Sequence, residues 1–152
     1  MRVLFLDIDG VLNAGGFDAV AESSSLDAAL VARLNDILAA TGAKLVLSSS
    51  WRYLVLGGAM TVEGFEYLLR SHGVAKGSLI GHTRADEEIA GRGAQILRWL
   101  EDHGPVEAWA VVDDIEIADL GAERWRHVRT DARAGLSAVD AAAITRTLGS
   151  PP

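Results

Sequence analysis

Residues 1–16 read MRVLFLDIDGVLNAGG, and the fold turns on how the apolar run Val3, Leu4, Phe5, Leu6 ends. Four consecutive apolar residues without polar alternation mark a strand buried on both faces, as in the interior of a parallel sheet. Asp7, Asp9 and Gly10 follow at once, so a buried strand delivers two carboxylates to its own end. Working outward, comparable runs recur at KLVLS (44–48), GSLIGH (77–82), WAVVD (109–113) and WRHVRT (125–130), with helix-like segments between them. The alternation predicts an α/β fold: a three-layer, doubly wound parallel sheet of Rossmann-like type with helices on both faces.

The helix signals agree. Ser25 or a neighbouring serine can cap a helix in which Leu26, Leu30, Leu34, Ile37 and Leu38 keep helical spacing and Gly42 is the stop. A second helix is expected over 61–72, closed by Gly73. A third starts near Arg92, turns Ile96, Leu97, Trp99 and Leu100 to the sheet, and ends by Gly104-Pro105. The last begins at Leu136-Ser137, where Asp140 completes a capping box, and runs to about Leu148. No repeat or dividing linker interrupts the chain, and the Gly/Ala/Ser-rich stretch 13–25 reads as a loop, so one domain over 1–152 is expected.

Composition removes several function classes. The 152 residues include no cysteine, which excludes disulfides, thiolate metal sites and a thiol nucleophile. Any metal must be held by oxygen or imidazole. A formal net charge of -7 argues against sequence-independent binding to a phosphate backbone. No apolar stretch reaches the roughly 20 residues of a membrane span, and the opening runs straight into a strand, so no membrane association and a cytoplasmic location are expected.

Right-handed crossovers bring the loops after the strands to the carboxyl edge of such a sheet, where ligands bind. Asp7 and Asp9 follow the first strand, Ser48 the second, and Asp113-Asp114 the fourth; Arg92 stands in the first turn of the helix before that fourth strand. A cation there opposes the helix dipole, at a cost of a few tenths to about 1 kcal/mol, which points to an anion nearby. Carboxylates gathered in one pocket repel one another unless a hard divalent cation neutralises them, and Mg²⁺ suits an all-oxygen set shared with substrate phosphate. A hydroxyl and a guanidinium supply what a phosphoryl group needs, a donor and a charge-matched clamp.

DIDGV (7–11), LVLS (45–48), the basic Arg92 and VVDD (111–114) resemble, in order and approximate spacing, the four motifs of the haloacid dehalogenase (HAD) superfamily of phosphohydrolases. LSSSWR and the GLS segment at 135–137 are similar to a small bacterial branch with no large cap, one associated in part with nucleic-acid repair. The resemblance implies that Asp7 is the nucleophile, forming an aspartyl-phosphate, and that Asp9 is the general acid and base and ligates Mg²⁺ through its backbone carbonyl. It implies further that Asp113, helped by Asp114, completes the metal site, and that Ser48 and Arg92 hold the phosphoryl oxygens of a phosphorylated substrate. Arg92 replaces the lysine usual in the third motif; Lys76 is its rival, although it precedes the third strand and is expected at the opposite edge. An acid at position 9 disfavours dehalogenation. Asn13, Arg52 and His82 also fall near strand ends.

Other readings are weaker. A calcium loop needs glycine in sixth place, and here it is fourth. Trp51, Trp99, Trp109 and Trp125 read as core or near-core aromatics, and His72, His103 and His127 lack metal-ligand spacing. A receiver-like phosphoacceptor would place its acid pair early and its lysine last, opposite to the order here; a catalytically silent phosphate-binding domain is the other alternative.

Overall fold

A computed structural model describes residues 1–14, 26–84 and 91–149. Five strands, β1 (Arg2–Leu6), β2 (Lys44–Leu47), β3 (Leu79–His82), β4 (Ala108–Asp113) and β5 (His127–Arg129), form one sheet in the order β3-β2-β1-β4-β5. Every pairing is parallel. The continuous apolar runs are explained by position: β1 lies centrally, and Val3 to Leu6 are fully buried. β2, β3 and β5 are shorter than their apolar runs. Residues 118–126 form a 3₁₀ stretch that delays β5 to His127, and Trp125 within it is exposed rather than near the core.

Among the described residues, five α-helices complete the layers: α1 (Ala28–Thr41), α2 (Tyr53–Leu56), α3 (Val62–Ser71), α4 (Arg92–Asp102) and α5 (Ala138–Gly149). Leu4, Leu6, Leu45, Leu47 and Val112 pack with Leu34 of α1, Phe65 of α3 and Ile144 of α5. Val3, Phe5, Val46, Trp109 and Val111 pack on the other face with Ile96 and Trp99 of α4 and with Ile117 and Leu120. The crossovers thus place α1 and α3 on one face and α4 on the other, and the chain changes face between β1 and β4. That is the switch point at which the carboxyl edge of a doubly wound sheet opens. Among the described residues there is no large cap, and no helix is long and apolar enough to cross a membrane.

Local chemistry fixes the ends of the elements. Asp27, not a serine, caps α1 by accepting from the N–H groups of Ala29 and Leu30; Ser25 lies outside the described residues, and Leu26 precedes the helix. Gly42, in the left-handed conformation, closes it. The α5 capping box forms reciprocally: Ser137 Oγ accepts from Asp140 N, and Asp140 Oδ2 accepts from Ser137 N. At α4 the start is unconventional. Gly91 offers no side-chain cap, and Asp119 from the following 3₁₀ stretch accepts from the N–H groups of Gly93 and Ala94 instead. A Cβ on Gly93 would sit 2.7 Å from Asp119 Oδ1, so the glycine after Arg92 admits that cap.

Candidate active site

Register carries the acidic groups to one place. Leu6 pairs with Leu47 and with Val112, and the ladder continues one step further through Asp7 N to Val112 O (3.0 Å) and Ser48 N to Leu6 O (2.9 Å). Asp7, Ser48 and Asp113 therefore end three adjacent strands side by side. Because side chains alternate along a strand, all three belong with Val3, Phe5, Val46 and Val111 on the α4 face. Asp7, Asp113 and Asp114 each bring one carboxylate oxygen within 4.8 Å of the others. Arg92, from the first turn of α4, pairs with Asp113 Oδ2 and lies 3.6 Å from Asp7 Oδ1. The anion expected from the unfavourable place of Arg92 on its helix is thus this acid cluster.

Burial gives the cluster its electrostatics. Asp7 is 4% exposed and Asp113 fully buried. Loss of water, followed by the repulsion of Asp113, pushes the Asp7 carboxyl up to about 7, against the pull of Arg92 and a hydrogen bond from Ser49. Asp114 is raised for the same two reasons, burial first and Asp113 second. Burial alone would lower the Arg92 guanidinium, but Asp113 and Asp7 hold it above its usual range. Three carboxylates gather around Arg92, and although the Arg52 guanidinium is near enough to attract Asp7 as well, the carboxylates outnumber the cations.

Gly10 shapes the pocket from the side of β1. Its φ of 74° is a left-handed conformation, and a Cβ there would lie 2.7 Å from Asp114 Cγ. The glycine of DIDG therefore turns the chain and admits Asp114 to the cluster. Asp9 points elsewhere. Its Oδ1 accepts from Asn13 Nδ2 at 2.8 Å and its Oδ2 from Trp51 Nε1 at 2.9 Å, and the side chain stays half-exposed. Trp51 is consequently more than the core aromatic that its sequence suggests.

The remaining sequence-derived residues separate cleanly. Among the described residues neither Ser48 Oγ nor Thr83 Oγ1, just past the end of β3, finds a hydrogen-bond partner, and both are buried. Ser49, adjacent, bonds Asp7 and starts the 3₁₀ turn Ser50–Arg52. Arg52 is buried and turns inward, donating to the carbonyls of Ser48 (2.6 Å) and Ser49 (2.8 Å) and to Gln95 Oε1 (2.9 Å); it supports the β2 loop and does not project towards a substrate. His82 bonds the carbonyl of Thr83. Lys76 lines a cleft with Asn35, Gly42 and Lys44 at the amino edge of the sheet, far from the acids, so Arg92 is the basic residue of the cluster.

With this geometry in hand, comparison with known families gives one decisive match: the model of the HAD domain in Swiss Army Knife RNA repair proteins covers residues 3–141. The chain belongs to this family. Comparisons with curated proteins and with solved structures give no significant match. HAD domains are of phosphohydrolase type and generally use a divalent metal. The residues of this HAD domain fit such an ion: the donors are hard oxygens, one from each carboxylate lies within 4.8 Å of the others, and burial already strains their ionisation. Asp7, Asp113 and Asp114 are the side chains placed to hold it.

Proposed function

We propose that this HAD domain is a Mg²⁺-dependent phosphatase that hydrolyses a phosphate monoester through an aspartyl-phosphate on Asp7. The observation that carries the reading is the convergence of Asp7, Asp113 and Asp114 with Arg92 at the switch point of the sheet. Bound to these carboxylates, Mg²⁺ would keep Asp7 ionised at neutral pH and offset the charge of the phosphoryl group.

The residues divide the work. Asp7 Oδ bonds to phosphorus as the bond from phosphorus to the leaving oxygen breaks, and neutral Asp9 gives its proton to that oxygen. Asp9, now a carboxylate, takes a proton from water as the water oxygen bonds to phosphorus; the phosphorus–Asp7 bond breaks, and inorganic phosphate leaves. Ser48 has an unsatisfied hydroxyl to donate to a phosphoryl oxygen, which accounts for a buried polar group with no partner among the described residues. Arg92 is poised to exchange its contact with Asp7 for the phosphoryl group.

For the substrate, the family description favours a phosphorylated nucleic-acid end, and the described residues include no large cap over the carboxyl edge, which suits a bulky leaving group. Recognition would then be confined to the terminal phosphate and its neighbours, since the net charge of -7 opposes extended backbone binding. The test is phosphate release with Mg²⁺ from an aryl phosphate and from oligonucleotides phosphorylated at the 3′ or 5′ end. Steady turnover, lost in Asp7→Asn and with EDTA, is the expected result. One-time labelling from acetyl phosphate without turnover would identify a phosphoacceptor, and turnover surviving in Asp7→Asn would overturn the mechanism.

A further inference from the structure

We propose that Trp51, together with Asn13, is a positioning residue that fixes the carboxyl of Asp9 for proton transfer to the leaving group. The inference rests on the phosphatase reading above and extends it to a residue 42 positions away in sequence. Asp9 follows its strand by three residues and keeps a half-exposed side chain, so strand geometry alone leaves its rotamer open. Each of its oxygens nevertheless has one fixed donor: Asn13 Nδ2 at 2.8 Å and Trp51 Nε1 at 2.9 Å. Two donors on opposite oxygens set both the direction and the roll of the carboxyl plane.

Both donors are themselves held. Asn13 Oδ1 accepts from Gly10 N at 3.0 Å, which ties its amide to the turn that Asp9 belongs to and decides which end of the amide faces Asp9. The indole of Trp51 packs edge-on against Phe65 of α3, with ring centroids 6.3 Å apart at 90°. Its backbone N–H is taken by Ser49 Oγ, and Arg52 grips the carbonyls of Ser48 and Ser49. An indole N–H only donates, so it orients Asp9 without competing for the proton that Asp9 transfers. The segment LSSSWR thus joins a hydroxyl for the phosphoryl group to an anchor for the acid.

A residue that acts through the acid should matter in proportion to how much protonation the leaving group needs. Trp51→Phe retains the ring against Phe65 and removes only the donor. With Mg²⁺, kcat/KM reports the first phosphoryl transfer, and it is compared for an alkyl phosphate, a poor leaving group, and for 2,4-dinitrophenyl phosphate, a good one. General acid catalysis contributes on the order of 10²–10⁴-fold, so the variant is expected to lose about 10-fold or more with the alkyl ester relative to the dinitrophenyl ester. In an Asp9→Asn background the same substitution should add little further loss, because both changes disable one function. Equal losses on both esters, or fully additive losses in the double variant, would overturn the proposal while leaving the phosphatase reading intact. A wild-type protein that released no phosphate from any ester would overturn both. Should Trp51→Phe fail to fold, Asn13→Ala, which removes the second donor, is read in the same way.

Discussion

Replacing Asp7 with asparagine should make the metal-free protein more stable at pH 8 while abolishing turnover. The folded protein keeps a proton on Asp7 up to about pH 7, whereas the unfolded chain releases it near 3.8. The folded state therefore binds the extra proton between those values, and the stability of the metal-free wild type falls as pH rises through that window. The difference between 3.8 and about 7, at about 1.4 kcal/mol per pH unit, corresponds to roughly 4 kcal/mol held against folding above pH 7. Asparagine is neutral throughout and escapes this cost. The attraction to Arg92 at 3.6 Å is already contained in that raised value, so the expected gain stays at roughly 4 kcal/mol. For a chain of this size that is a rise in Tm of about 8–16 °C. Thermal unfolding followed by circular dichroism in EDTA, at pH 3.5 and pH 8, on either side of that window, checks it: the two proteins should melt nearly together at the lower pH and separate at the higher. A variant no more stable than wild type at pH 8, or a gap that does not change with pH, would refute the claim that Asp7 is a strained buried carboxyl.

Further outcomes follow from the same geometry. Mg²⁺ at 100 times its Kd should stabilise the wild type by about 2.7 kcal/mol, and because Asp7 must lose its proton to bind, the affinity should fall about tenfold per unit of pH below 7; titration calorimetry at two pH values measures both. Gly10→Ala places a Cβ 2.7 Å from Asp114 Cγ at a φ of 74°, so it should cost about 1–2 kcal/mol in denaturant unfolding and also weaken Mg²⁺ binding in the same calorimetric assay. Ser137→Ala breaks the α5 capping box and should lower stability by about 1 kcal/mol, seen as a drop in Tm of about 2–4 °C, with Mg²⁺ affinity preserved.

The parts of this molecule that can be read from sequence are those governed by local rules. Val3 to Leu6 announce a central strand because only burial on both faces tolerates such a run. Gly42 and the Ser137–Asp140 pair mark helix ends because capping is settled within four residues. The placing of Asp7, Ser48 and Asp113 side by side also follows from strand ends, since parallel strands share one carboxyl edge. Trp51 escaped because its partner is fixed by the β1–β2 register, and a lone tryptophan, even between Ser50 and Arg52, reads as a core or near-core aromatic. The usable signal was its position three residues beyond Ser48, directly across from DIDG, combined with an N–H that needs an acceptor. Arg52 misled in the opposite sense, because a charged residue after a strand reads as exposed while here it satisfies buried carbonyls. Asp119 capping α4 depends on the packing of a 3₁₀ stretch against Gly91 and Gly93, which no periodicity in the chain discloses.

The most direct measurement is a crystal structure of the protein grown with Mg²⁺ and beryllium fluoride, which mimics a phosphoryl group on a carboxylate. We expect beryllium bonded to an oxygen of Asp7, the cation held by Asp7, Asp113 and Asp114, and fluorine atoms in contact with Ser48 and Arg92. Density for the fluoride on any other residue, or an Asp7 that still faces Arg92 with no cation beside it, would contradict it.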